Sequence, residues 1–278
     1  MDYEKYMSLI RDGKAIEAAH FKSKSMPERF YKYVSLNDDD SLNEKKFNTL
    51  RQNELHMDSF ETYNDPFEGT FFLFDEKKLS THGWKYGLIT DLYNSLVKGF
   101  KICSLSATSE QNMPMWAYYA NNHKGYCLEY IFTETQRKYI FPVVYENERQ
   151  EATSILANMV NDELNVIMQN PGLSAVERVD LTSDITSETN LLIFLSIAAK
   201  HLSWQHEKEY RIIADAKHDS FPAIATKIYA GLNCKNDHIQ KLCSIAKDHA
   251  ADGIPTEMYK MKFDPFNKAF RFTEERVC

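Results

Sequence analysis

Glycine is scarce in this sequence, with 9 residues in 278. This scarcity argues against glycine-rich phosphate loops as the organising device, and neither a P-loop nor a GxGxxG pattern occurs. Ser104 and Ser106 also stand outside the GxSxG context of a hydrolase elbow. The sequence therefore carries none of these three motif-defined chemistries.

The cysteine pattern does not indicate a structural scaffold either. The five cysteines are odd in number and widely spaced, and no CxxC pair is present, which argues against a disulfide framework or a structural zinc site. The histidines show no HxxxH or HxH pairing. We therefore expect reduced thiols in a cytoplasm and no bound metal. The five are Cys103, Cys127, Cys234, Cys243 and Cys278.

Long hydrophobic runs are missing as well. The longest, Leu191–Ala199, is far too short to span a bilayer. The polar and charged segment Met1–His20 lacks the apolar region of a signal peptide. A net charge of −7 lowers the expectation of a free nucleic-acid binder, because such proteins usually carry a basic face. We expect a cytoplasmic protein with no membrane association.

What the chain does contain is ordinary globular composition, with 43% hydrophobic and 26% charged residues and many aromatics. This supports a full hydrophobic core. Predicted helices and strands are mixed without strict alternation, and no repeat or clear linker divides them. The sequence predicts one α+β domain over residues 1–278, with a mixed, largely antiparallel sheet flanked by helices. Residues 1–25 are predicted as a peripheral N-terminal helix, and residues 186–202 as another helix.

The first candidate block is residues 63–68, with the sequence YNDPFE. Asn64 and Asp65 favour a turn because their side chains hydrogen-bond nearby backbone N–H groups, and Pro66 keeps Asp65 out of the helical region. Two interpretations stand. The block is either a rigid structural turn anchored by Phe67 and Phe60 or a shaped loop that presents Asn64 and Asp65 to a ligand.

The second block is residues 115–130, predicted as a helix that ends at a glycine and leads into a strand. Trp116 and Ala120 share one helix face at i,i+4 spacing, so Trp116 is expected in the core. His123 near the helix end complements the helix dipole. Aromatic side chains such as Tyr119 at this corner can also form a pocket rim and stack on a nucleobase or nicotinamide ring.

The third block is residues 204–213, with the sequence WQHEKEYRII. In a strand, residues two apart face the same way, so Glu207, Glu209 and Arg211 would line one face and Tyr210 the other. Two carboxylates and a guanidinium in a row suit either a surface salt-bridge ladder or an active-site face. Because the segment leads into an Ile-Ile pair, we expect Glu209 to be partly buried and to have a functional role.

Together the blocks resemble a bacterial family catalogued as domain of unknown function 2971. The resemblance spans residues 30–232 and departs from the family pattern at Tyr63, where Phe is commoner. It implies no established activity. The motifs that carry it are Tyr31-Lys32-Tyr33, Tyr63-Asn64-Asp65-Pro66-Phe67, Ser104-Leu105-Ser106, Met115 through Cys127, and Trp204 through Arg211.

The motif order is also similar to that of ADP-ribosyltransferases from bacterial toxins and phage-defence effectors, although no Arg or His stands beside Tyr33. This second resemblance implies that NAD is the substrate and that Glu209 stabilises an oxocarbenium-like ribose as nicotinamide leaves. It implies that Glu207 activates the acceptor, a protein or a nucleic acid. The residues it implies for NAD binding are Lys32, Tyr33, Asn64, Asp65, Ser104, Ser106, Trp116, Tyr119, His123 and Arg211.

Two other functions remain open. One is a non-catalytic, regulatory module that binds a nucleotide or a protein, in which Trp116 and Tyr119 would matter more than either glutamate. The other is a nuclease that would need a divalent metal. Its candidate residues are Asp65, Glu68, His123 and Glu209.

Overall fold

A computed structural model of the chain describes residues 2–12, 14–169, 172, 195–266 and 268–278. The strands are β1 (Phe30–Val34), β2 (Glu54–His56), β3 (Phe72–Leu73), β4 (Phe100–Ser106), β5 (Tyr126–Tyr130), β6 (Ile140–Pro142), β7 (Val144–Glu146), β8 (Gln150–Glu151), β9 (Ala199–His201), β10 (Glu209–Asp215), β11 (Ser220–Pro222), β12 (Ala225–Ala230), β13 (Glu257–Lys262) and β14 (Thr273–Arg276).

The α-helices are α1 (Tyr3–Arg11), α2 (Ala15–Ser25), α3 (Asp40–Arg51), α4 (Glu76–Thr81), α5 (Tyr86–Lys98), α6 (Met113–Tyr119), α7 (Glu134–Arg137), α8 (Thr153–Gln169) and α9 (Asn236–Ala251). Short 3₁₀ helices cover Phe60–Thr62 and Leu202–Glu207. Among the described helices, none combines the length and apolarity needed to cross a membrane.

An eight-stranded sheet forms the centre of the fold, in the order β14-β13-β12-β5-β1-β4-β10-β6. The neighbours are antiparallel except β12 and β13, which are parallel. The structure thus confirms a mixed, largely antiparallel sheet with helices around it. β4 and β10 pair along their full length, whereas β1 and β4 share one register pair, Tyr31 with Ser106. The sheet therefore opens between β1 and β4.

The two faces of the sheet carry different packing. On one face, Phe30 and Leu128 lie in a hydrophobic cluster with Phe47 of α3 and Leu242 of α9. On the other face, the alternate residues of the same strands, such as Tyr33, join a cluster with α6. The side chains of β5 therefore alternate between the two faces, with Leu128 on the first and Cys127 on the second. A third cluster joins α4, α5 and α8 to β4.

Two predicted helices differ from the structure. The N-terminal helix is divided into α1 and α2. Of the helix predicted over residues 186–202, residues 186–194 lie outside the described part. Residues 195–197 are helical, but Ala199–His201 form strand β9, so the prediction is wrong there. The reason is tertiary, because parallel pairing with Val144–Glu146 overrides the local apolar pattern.

A disulfide joins Cys243 of α9 to the last residue, Cys278. The expectation of five reduced thiols is therefore wrong for this pair. The bonding partners are 35 residues apart and meet because β14 returns the chain to the sheet edge beside α9. Sequence spacing does not show such a contact. The buried cysteines Cys103, Cys127 and Cys234 are free thiols.

Candidate functional site

A cavity of about 350 Å³ lies where β1 and β4 diverge. Its walls come from β1, β4, the segment of residues 58–65, α6, and the segment of residues 200–209. Its volume falls in the range of small-molecule sites in proteins. The predicted site residues that line it are Lys32, Tyr33, Asn64, Asp65, Ser104, Ser106, Tyr119, Glu207 and Glu209.

Strand register builds one wall of the cavity. Tyr31 pairs with Ser106 and Ser106 pairs with Glu209, so the three residues stand side by side on adjacent strands. Arg211 lies next to Ser104 in the same register. Period-two alternation turns these side chains to the face opposite the Phe30 cluster.

Glu207 lies at this wall, but in a different secondary structure from the predicted strand. It ends the 3₁₀ helix Leu202–Glu207, and Lys208 follows in the left-handed region with φ 45°. The prediction that the strand includes residue 207 is therefore wrong. Ser106 Oγ donates to the Glu207 carbonyl at 2.7 Å, which holds this turn. The Glu207 carboxylate still faces the cavity, where it accepts a hydrogen bond from Tyr119 Oη.

Lys200 bridges the two glutamates. Its Nζ lies 3.0 Å from Glu207 Oε2 and 2.7 Å from Glu209 Oε2, and all three side chains are buried. Burial lowers the pKa of Lys200, but the charges of Glu209 and Glu207 outweigh this effect and hold its pKa above the ordinary value. The ammonium therefore stays charged. Lys200 lies on β9 at the end of an apolar run, and no sequence motif marked it.

Glu209 is held as an anion. Burial raises the pKa of its carboxyl group, but Arg211 and Lys200 outweigh burial and lower the pKa to about 2. Arg211 Nε donates to Glu209 Oε1 at 2.9 Å, and Ser104 Oγ donates to the same oxygen. The Glu209 side chain is 3% exposed. A fixed, ionised carboxylate therefore lies at the cavity wall.

Arg211 supports the site from behind and is not among the residues that line the cavity. It is fully buried, donates to the Ile197 carbonyl, and forms a two-point ion pair with Glu68. Its predicted role as a ligand contact does not fit this position. Arg211 instead contacts Glu209, which does line the cavity.

The turn of residues 63–68 combines both interpretations offered for it. Asp65 Oδ1 accepts from the Phe67 backbone N–H at 2.9 Å and so closes the turn. Asn64 and Asp65 also line the cavity. Phe67 is 59% exposed and does not anchor the turn, so the expectation is wrong for Phe67. Phe60 packs against the cluster of α4, α5, α8 and β4, and Glu68 adds a further anchor through its ion pair with Arg211.

Helix α6 carries Tyr119 to the cavity. Asn112 caps its start by accepting from Met115 N. Burial, followed by the Glu207 carboxylate, raises the pKa of Tyr119, so its hydroxyl stays protonated and donates. The helix ends at Tyr119, earlier than predicted, and three residues with positive φ follow. Gly125 then passes so close to β1 that a Cβ there would lie 2.0 Å from the Val34 carbonyl oxygen.

Two residues of the second block lie behind the cavity wall. Trp116 is fully buried, its Nε1 donates to the Glu110 carbonyl at 2.6 Å, and its ring meets Tyr33 edge-on. Trp116 is thus a core residue. His123 stacks on Trp116 at a centroid distance of 5.9 Å, and burial lowers its pKa. Neither side chain is among those lining the cavity.

The residues considered for a nuclease do not form one cluster. Glu68 is paired with Arg211, and His123 packs against Trp116 and Phe272. Within the described ranges, no group of three or more His, Cys, Asp or Glu side chains is arranged to hold a metal ion.

Residues 115–212 match the model of a family described as "Protein of unknown function (DUF2971)". The match runs from α6 into β10 and confirms the resemblance to this family. The ADP-ribosyltransferase resemblance stays an expectation. Comparison with curated proteins finds no match, and comparison with solved structures finds none.

Proposed function

We propose that this chain, matched to a family without a described activity, consumes NAD by cleaving its N-glycosidic bond. The observation that carries the proposal is Glu209, an ionised carboxylate fixed at the cavity wall by Lys200 and Arg211. Cleavage of a glycosidic bond passes through a transition state with positive charge on the sugar. A carboxylate already fixed in place stabilises that charge without reorganising.

The residues around Glu209 divide the chemistry among them. A ribose 2′-hydroxyl would take the place of the Ser104 hydroxyl as a donor to Glu209. The bonding electrons leave with nicotinamide as a water or acceptor oxygen attacks the ribose C1. Glu207, on the other side of Lys200, accepts the proton of that oxygen. Transfer to a protein or nucleic acid gives ADP-ribosylation, and transfer to water gives hydrolysis.

Four tyrosines support a ring-bearing ligand. The same cavity is lined by Tyr31, Tyr33, Tyr63 and Tyr119, and aromatic faces favour stacking with a flat ring. Loss of NAD is harmful to any cell, so the proposed activity suits a bacterial toxin or phage-defence effector. Induced expression of the wild-type chain should then stop growth, and expression of an inactive variant should not.

The direct test measures NAD consumption and nicotinamide release by liquid chromatography. Glu209→Gln should reduce turnover at least 100-fold, because it removes the transition-state charge while keeping a similar shape. Glu151→Gln is the matched control, since Glu151 pairs with Lys78 at an exposed position. Circular dichroism establishes that both variants fold. Wild-type protein that neither binds nor consumes NAD would refute the proposal.

One observation favours a second function, a non-catalytic nucleotide- or protein-binding module. Both oxygens of Glu209 already have partners within the protein. A carboxylate that keeps these partners shapes the cavity without taking part in chemistry. In that case NAD would raise the melting temperature by mass action, but no nicotinamide would appear. The two assays together separate the functions.

A further inference from the structure

Asp65 has one carboxylate oxygen without a partner. The side chain is 5% exposed and lines the cavity. Its Oδ1 accepts from the Phe67 backbone N–H, and its backbone carbonyl accepts from the Glu68 N–H, so the turn is closed without Oδ2. Its Oδ2 is buried and has no hydrogen-bond partner among the described residues. Burying an anionic oxygen without a partner is unfavourable, so such an atom at a cavity wall points to a ligand that donates to it.

The turn itself does not require an aspartate. Asparagine offers the same Oδ1 acceptor to the backbone N–H of residue 67 and is equally suited to such turns. What aspartate adds is a second acceptor oxygen and a negative charge. Both additions belong to Oδ2, the oxygen that the fold leaves unused.

The net charge around the cavity is negative, which also favours a ligand that donates hydrogen bonds or carries a positive charge. Of the described residues that line it, four carry carboxylates and two carry ammonium groups. Lys200 is engaged by Glu207 and Glu209, and Lys32 Nζ donates to the Ser104 carbonyl at 3.1 Å. The remaining carboxylates, Asp58 and Asp65, leave the lining with an excess of negative charge. Such a concave site attracts cations and repels phosphate groups.

We propose that Asp65 Oδ2 receives a hydrogen-bond donor from a flat, cationic ring, so that the cavity selects the positively charged nicotinamide ring over neutral analogues. This inference rests on the proposed function and assigns its substrate orientation. The carboxamide N–H group would donate to Asp65, the ring would lie among the tyrosines, and the phosphates would remain at the mouth. The cavity should therefore prefer oxidised to reduced nicotinamide nucleotides.

The test uses two small probes that contain no glycosidic bond, 1-methylnicotinamide as a cation and nicotinamide as its neutral analogue. Isothermal titration calorimetry should show that wild-type protein binds the cation roughly tenfold more tightly. Asp65→Asn should bring the two affinities close to each other. Asp75→Asn is the matched control, because Asp75 caps α4 through the same kind of side-chain bond, to Lys78 N, away from the cavity. It should keep the tenfold preference.

These outcomes separate the inference from the proposed function. Equal affinities in the wild type, a preference unchanged in Asp65→Asn, or no binding of either probe would each overturn the role of Asp65. NAD consumption could still occur in all three cases. Conversely, a cation preference that depends on Asp65 would support the inference even if the wild-type protein released no nicotinamide.

Discussion

Glu68 and Arg211 are 143 residues apart in sequence and form a two-point ion pair in which both side chains are buried. Arg211 also donates to Glu209 through its Nε. The pair therefore ties the turn that holds Asn64 and Asp65 to the strand that holds the proposed catalytic carboxylate. Two segments that line the cavity, far apart in sequence, are thus joined by one buried ion pair.

Replacing Glu68 should lower stability strongly. Glu68→Gln leaves the Arg211 charge with Glu209 as its remaining buried carboxylate partner, and breaking a buried pair costs about 3 kcal/mol. Urea denaturation measures this as a lower midpoint. Glu151→Gln breaks an exposed pair with Lys78 and should cost well under 1 kcal/mol. Equal losses in the two variants would contradict the role given to the Glu68–Arg211 pair.

The ionised state of Glu209 predicts a pH dependence. Its pKa is about 2 in the folded protein, against an ordinary value of 4.5, so the unfolded chain binds the proton more tightly. The stabilisation is therefore complete above pH 5 and is lost as the pH falls toward 2. Comparing melting temperatures at pH 7 and pH 3 should show a smaller loss for Glu209→Gln than for the wild type. Burial raises the pKa of Glu68, so Glu68 acts in the opposite direction and does not explain such a loss.

Tyr119→Phe tests the hydrogen bond to Glu207. Removing the hydroxyl should cost about 1 kcal/mol and leave the ring in place to contact a ligand. If Glu207 activates the acceptor, turnover should fall more than NAD affinity does. Tyr118→Phe is the control, because Tyr118 is 68% exposed on the same helix. A larger effect at Tyr118 would count against the assignment.

Trp116 and Trp204 should behave differently. Trp116→Ala removes a fully buried ring and should cost about 3–5 kcal/mol, with little change in ligand affinity per folded molecule. Trp204 lines the cavity beside Lys200, so Trp204→Ala should weaken ligand binding at a smaller cost in stability. Chemical denaturation and calorimetry of both variants decide the matter. If Trp116→Ala instead weakened ligand binding more than Trp204→Ala, Trp116 would be a ligand contact.

The sequence predicted the sheet from its pattern of helices and strands, and it predicted nine of the eighteen described residues that line the cavity. Turn chemistry and strand alternation indicated Asn64, Asp65 and Glu209, whereas Lys32, Tyr33, Ser104 and Ser106 came only from the resemblance to ADP-ribosyltransferases. Glu209 and Arg211 share a strand face as period-two alternation requires. Lys200 could not be predicted, since its position depends on β9 pairing with β7 and on two glutamates beyond the next turn. The same holds for Glu68 as an anchor. Trp116 and His123 shared a block with Tyr119 but lie behind the wall. Trp116 faces the core from within α6, and His123 is the last of three left-handed residues after α6 and stacks on Trp116.

The opening between β1 and β4 also leaves each of these two strands with one side that is mostly not paired to the other strand. β1 is fully paired with β5, and β4 with β10, so the two strands face each other as edges inside the sheet. Strand edges carry peptide groups that can bond to an incoming partner, and on an outer edge they promote aggregation. Here the β4 edge is partly covered, because Asp58 exchanges backbone hydrogen bonds with Ile102 and Lys32 donates to the Ser104 carbonyl. The opening also lies inside the sheet and not at its outer strands, so it presents no template to another chain.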